Sequence, residues 1–190
     1  MLKTIIDPDF KIKDSDHAFT YQEKLTVKLD ALDADFDQDT INEIVLWKVN
    51  RYAALSIDTL TLLNQVTKSS VFNLELTREI LAQLLKEKGI QLPMASTILR
   101  FKHPKIYQII DQRVFRFIYG KELELSTTKS EKNIQQTIEL YLTYLHDLRE
   151  LASKHHFPFE QADRILYTID KDRNKHIKLN NYGTTQVSDL

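Results

Sequence analysis

Helical periodicity in this chain is interrupted at so few places that the interruptions dictate the fold. Between Glu79 and Gly120 they fall at Gly89, Pro93 and Pro104. The run EILAQLLKEKG spaces its leucines for one helix face. A glycine just past the last periodic residue takes the left-handed C′ conformation at the lowest cost. Ile90-Gln91-Leu92 then makes a tight turn. Pro93 suits the first position of a second helix, where a missing N–H costs nothing. That helix sets Met94, Ile98 and Phe101 on one stripe and stops before Pro104, because the residue preceding a proline is pushed out of the α region. A short extended apolar piece, Tyr107 to Ile110, leads to Asp111, which opens a third helix. The order is helix, glycine turn, helix, loop, carboxylate, helix, with the hairpin over residues 79–103.

The rest of the chain reads the same way. Met1 to Asp16, with Pro8, fits either an irregular arm or a short strand. Helices are expected over 18–31, over 40–52 behind an Asp39 cap, over 57–67 behind a Ser56 cap, and over Glu75 to Lys88. Ser130 caps a long helix, 131–154, with Ile134, Ile138, Tyr141, Leu145, Leu148 and Leu151 on its buried stripe. Pro158 opens a last helix to Asp170, with Phe159, Ala162, Ile165, Leu166 and Ile169 inward. Lys171 to Leu190 is a polar tail or covering segment. Only 3 glycines and 4 prolines in 190 residues argue against a loop-rich β protein. The expectation is an all-α bundle of seven or eight helices, one domain over 1–190 with no sharp internal boundary.

Composition narrows the function classes. The formal charge is −1, so any nucleic-acid contact must come from a local patch. The absence of cysteine excludes disulfides, thiolate-held zinc and a cysteine-held iron–sulfur cluster. No apolar run approaches the ~20 residues of a membrane span, and no signal-peptide pattern opens the chain, so a cytoplasmic protein is expected. Asp33, Asp35, Asp37 and Asp39 lack calcium-loop spacing and read as an acidic loop; His155-His156 read as a helix end. No metal site and no cofactor follow from these residues.

Three features invite function. Arg100, Lys102, His103 and Lys105 cluster at the end of the second hairpin helix, followed by Arg113 and Arg116, with Phe101, Tyr107 and Phe115 interleaved. They form either a phosphate-binding patch or a solvated helix end. Trp47 and Arg51 are four apart in WKVNRY, placed for a cation–π pair or for an ordinary amphipathic helix. Asp111 is either a plain N-cap or a carboxylate at a cleft.

Leu84-Leu85, Gly89-Ile90, Ala95, Thr97-Ile98-Leu99 and Ile109-Ile110-Asp111 resemble the helix-hairpin-helix DNA glycosylase superfamily. The resemblance implies a two-lobed helical bundle with a cleft near Asp111. It implies DNA as partner, with backbone N–H groups at Gly89, Ile90 and Gln91 meeting a phosphate and Arg100, Lys102, Lys105 and Arg113 as further contacts. It also makes Asp111 the residue serving glycosidic hydrolysis on a flipped base, with Trp47, Tyr52 and Phe115 as pocket candidates. Two positions depart from the family pattern. Gln91 replaces the second turn glycine, and Pro93 stands where strand-cleaving members place a lysine. A monofunctional glycosylase of the base-excision repair type is therefore the activity implied, without Schiff-base chemistry. The alternatives are a non-catalytic DNA-binding module and a helical interaction protein.

Overall fold

A computed structural model describes residues 21–33, 35–49, 53, 55–126 and 128–179. Among these residues the chain is all-helical, with eight α-helices and no strand. None of the helices is long and apolar enough to cross a membrane. The chain divides into two compact units between residues 53 and 54.

The N-terminal unit holds α1 (Glu23–Asp30) and α2 (Gln38–Lys48). The cap of α2 is Asp37, two residues before the expected Asp39. Thr40 explains the shift, since its N–H and its hydroxyl both donate to Asp37 Oδ1 at 2.8 Å. Trp47 is bound within this unit. Its indole N–H donates to Thr26 Oγ1 at 2.8 Å, and its ring meets Tyr21 edge-on at 5.2 Å. The Arg51 partner expected for Trp47 lies outside the described residues, as do Tyr52, the Met1–Asp16 arm and the end of the tail.

The C-terminal unit holds α3 (Ile57–Leu63), α4 (Leu74–Lys86), α5 (Leu92–Lys102), α6 (Gln112–Tyr119), α7 (Glu131–Lys154) and α8 (Ala162–Arg173), the last preceded by a 3₁₀ turn at Phe159–Gln161. Ser56, Asn73, Asp111 and Ser130 cap α3, α4, α6 and α7 through their side-chain oxygens. Ile80, Leu81 and Leu84 of α4 and Ile138, Tyr141 and Leu148 of α7 are buried in one apolar core with Leu99 and Val114. Burial at this scale contributes roughly 1.5–3 kcal/mol per large side chain.

One helix face departs from expectation. Met94 and Phe101 of α5 are 48% and 63% exposed, and the buried side carries Leu92, Ala95, Ser96, Leu99 and Arg100. Periodicity misplaces the face because Ser96 and Arg100 have partners inside. Ser96 Oγ accepts the Ile110 N–H at 3.2 Å, and the Arg100 guanidinium sits 3.5 Å from Asp163.

The Tyr107–Ile110 piece is largely buried and belongs to neither a helix nor a strand. A buried backbone must find partners, and here side chains supply them. Tyr141 OH donates to Gln108 O at 2.8 Å and Tyr144 OH to Ile109 O at 2.5 Å. Asp163 Oδ2 accepts the Ile109 N–H at 3.1 Å. Two tyrosines of α7, one serine of α5 and one aspartate of α8 thus fix the segment that delivers Asp111.

Candidate functional site

At the hairpin, α4 ends before Gly89 is reached. Glu87 already leaves the helix with φ −62° and ψ 143°. Its carboxylate oxygen Oε1 accepts the Ser56 N–H at 2.8 Å, the Ser56 hydroxyl at 2.6 Å and the Thr59 hydroxyl at 2.7 Å, all at the start of α3. These hydrogen bonds, the Ser56 hydroxyl foremost, hold the Glu87 carboxyl below its ordinary value. Gly89 is consequently not the C′ residue of α4. It is the third residue of a turn closed by the Ile90 N–H to Glu87 O at 3.3 Å, and it has φ +81°. A Cβ there would meet nothing within 4 Å, so the glycine answers to backbone conformation rather than to crowding. Gln91 is the extended N-cap of α5 without a side-chain cap bond, and Pro93 lies in the first turn. The N–H groups of Gly89, Gln91 and Met94 find no acceptor among the described residues, whereas Ile90 is buried and its N–H is used within the turn.

The basic cluster read from sequence is dispersed. Arg100 is 7% exposed; it faces Asp163 and donates to Glu160 O at 3.2 Å. Lys102 donates to Asn64 Oδ1 at 2.7 Å. His103 is buried with its Nε2 3.1 Å from Lys68 O. Arg113 donates to Asp170 at 3.2 Å and lies over the Tyr167 ring at 5.7 Å. Of the four expected phosphate contacts outside the turn, Lys105 is exposed and without a partner among the described residues. Arg100 and Arg113 serve buried carboxylates because each sits opposite an α8 aspartate that would otherwise be an uncompensated buried charge.

Asp111 has φ −129° and caps α6: its Oδ1 accepts the Val114 N–H at 2.8 Å. Its Oδ2 accepts from no described residue, and the side chain is part-exposed. Burial pushes its carboxyl above the ordinary aspartate value. The Val114 and Arg113 N–H groups pull it back, and the nearby Asp163 carboxylate adds to the upward push. Asp111 lines a pocket of about 420 Å³ with Ile109, Asp163, Arg164, Tyr167 and Thr168. Phe115, a pocket candidate from sequence, is instead buried in the core against Tyr119, with ring centroids 4.5 Å apart. An aromatic partner at this pocket does exist, and it is Tyr167.

Sequence reasoning missed Asp163, Arg164 and Tyr167. Periodicity marks Asp163 as an ordinary first-turn acid of α8, yet it is buried and holds the Ile109 N–H beside Arg100. Among the described residues no three histidine or carboxylate side chains converge as a metal site. No protein-family model, curated protein or solved structure matches this chain.

Proposed function

We propose that this chain is a DNA-binding protein of the helix-hairpin-helix type, with a monofunctional N-glycosylase site at Asp111. The reading includes the two-lobed arrangement that the resemblance implies. One observation carries it: Asp111 spends one carboxylate oxygen on its helix and leaves the other open at a pocket with an aromatic wall. A plain cap needs neither the pocket nor the second oxygen. The hairpin supports the same reading, because Gly89 is exposed at positive φ and N–H groups of the turn and of the α5 start lack partners among the described residues.

In this reading an extruded nucleotide places its base against Tyr167, as enzymes acting on bases in DNA require. As the bond from C1′ to the base nitrogen breaks, its electron pair leaves with the base and positive charge develops on the deoxyribose. The Asp111 carboxylate stabilises that charge and orients the water that adds to C1′. The water proton goes to the departing base. No amine takes part, since Pro93 has none to offer. Release of a base from damaged oligonucleotides, leaving an uncleaved abasic strand, tests the proposal.

A non-catalytic DNA-binding module is the second reading. The Val114 bond favours it, because capping alone explains an aspartate at a helix start. Salt-sensitive DNA binding with no base release from any substrate would select it. The third reading, a helical interaction protein, takes its support from exposed Met94 and Phe101 and requires the absence of DNA binding.

A further inference from the structure

We infer that the outer face of α8 and the segment following it form a second DNA-backbone contact, a cationic track that starts at the Asp111 pocket. The inference rests on the proposed DNA-binding reading and adds a surface that the hairpin does not include. Arg164 and Thr168 line the pocket. Lys171 follows them at i+7, so all three share one helix face, and all three are exposed. Arg173, the last residue of α8, and Lys175 and Lys178 beyond it continue the positive charge.

Formal charge understates this surface. The segment from Asp163 to Lys178 contains three aspartates, which lower its formal charge in sequence. Two of them point inward. Asp163 is buried on the Ile109 N–H beside Arg100, and Asp170 is buried between Arg113 and Arg116 of α6. Only Asp172 remains outside to offset five exposed cations. None of the five side-chain cations has an ion-pair or hydrogen-bond partner among the described residues. At the hairpin, by contrast, Arg100 is buried, Lys102 is bound to Asn64, and Lys86 sits 3.9 Å from Glu131.

The segment beyond α8 is also held in place. Arg116 donates to the carbonyl oxygens of Asn174 at 3.4 Å and Ile177 at 3.2 Å while clasping Asp170. The cations after the helix are therefore fixed on α6 rather than carried by a free tail. Fixed, unpaired cations beside a pocket for an extruded nucleotide are placed for the flanking phosphates, where each contact releases counterions.

The test is a salt titration of DNA binding by the full chain, using fluorescence anisotropy on a labelled duplex. The Lys171→Gln/Lys175→Gln variant is compared with wild type. A second variant, Arg164→Gln, probes the pocket end, and Lys24→Gln/Lys132→Gln is an equal-charge control on exposed lysines elsewhere; circular dichroism confirms that each is folded. The slope of log K against log salt should flatten by about 2 for the α8 pair and by about 1 for Arg164→Gln, with the control unchanged. Wild-type binding with an unaltered slope in both α8 variants, or an equal loss in the control, overturns the track and leaves the hairpin reading standing. A wild type that binds no DNA at low salt overturns both.

Discussion

The two ends of the α6 neighbourhood treat a carboxylate in opposite ways. Asp170 is fully buried where α8 packs on α6, and every part of it is used. Arg116 binds it with two nitrogens at 2.8 Å, Arg113 donates at 3.2 Å and Asn174 at 2.7 Å. Burial works against its charge, but Arg116, Asn174 and Arg113 together bring its carboxyl below the ordinary value. Asp111, at the start of the same helix, has Oδ1 on the Val114 N–H with a further pull on the carboxyl from the Arg113 N–H, has no side-chain partner among the described residues, and has its carboxyl pushed up by burial. The chain therefore has the means to saturate a carboxylate where only structure is at stake. A half-satisfied one beside a pocket is what a reacting group needs, since a saturated carboxylate has no free lone pair to offer.

The largest effect on stability should come from the saturated site. Asp170→Ala leaves Arg113 and Arg116 facing each other without their anion and should cost about 3–5 kcal/mol in urea unfolding. A loss below about 1 kcal/mol would break the comparison. Tyr144→Phe removes the donor to Ile109 O in the segment that delivers Asp111. It should cost about 1–3 kcal/mol, because the carbonyl is left unsatisfied, and base release should fall further than stability alone explains. A variant with normal base release would show that the segment does not position the carboxylate. Gly89→Ala meets no steric neighbour, so only its positive φ counts; about 1–2 kcal/mol of destabilisation is expected, together with weaker DNA binding.

Acid titration separates the two aspartates by sign. Asp170 has a depressed folded-state pKa, so its contribution is present above its unfolded value near ~4 and is lost as pH falls through the folded value. Asp170→Asn should thus be much less stable than wild type at neutral pH and converge with it in acid. Asp111 has a raised folded-state pKa, so its ionised form costs stability as pH climbs above ~4. Asp111→Asn should gain relative to wild type over that climb and then level off, ending within about 1 kcal/mol of it. Parallel curves for the two variants would remove the distinction drawn between the sites.

Much of this was legible locally. Glycine at positive φ, proline in the first turn of α5, and caps at Ser56, Asp111 and Ser130 all follow from near-neighbour chemistry, and the structure has them. The failures share a cause. Arg100, Arg113 and Arg116 read as a surface patch, yet their partners lie 54 to 63 residues away in the chain. No periodicity within one helix reports a charge waiting on another. The Met94 and Phe101 stripe misled for the same reason, since Ser96 and Arg100 are drawn inward by Ile110 and Asp163. Tyr167 and Asp163 could be found only by knowing where α8 packs.

The central claim is that the open oxygen of Asp111 carries chemistry on DNA. Its most direct test is single-turnover base release from a panel of damaged oligonucleotides by wild type and Asp111→Asn, with DNA affinity measured alongside. The account predicts that wild type releases a base and leaves an intact abasic strand. It predicts that Asp111→Asn binds DNA about as tightly and releases base slower by a factor on the order of 10² or more. Base release at the wild-type rate by Asp111→Asn, or none by the wild type from any substrate, would contradict it.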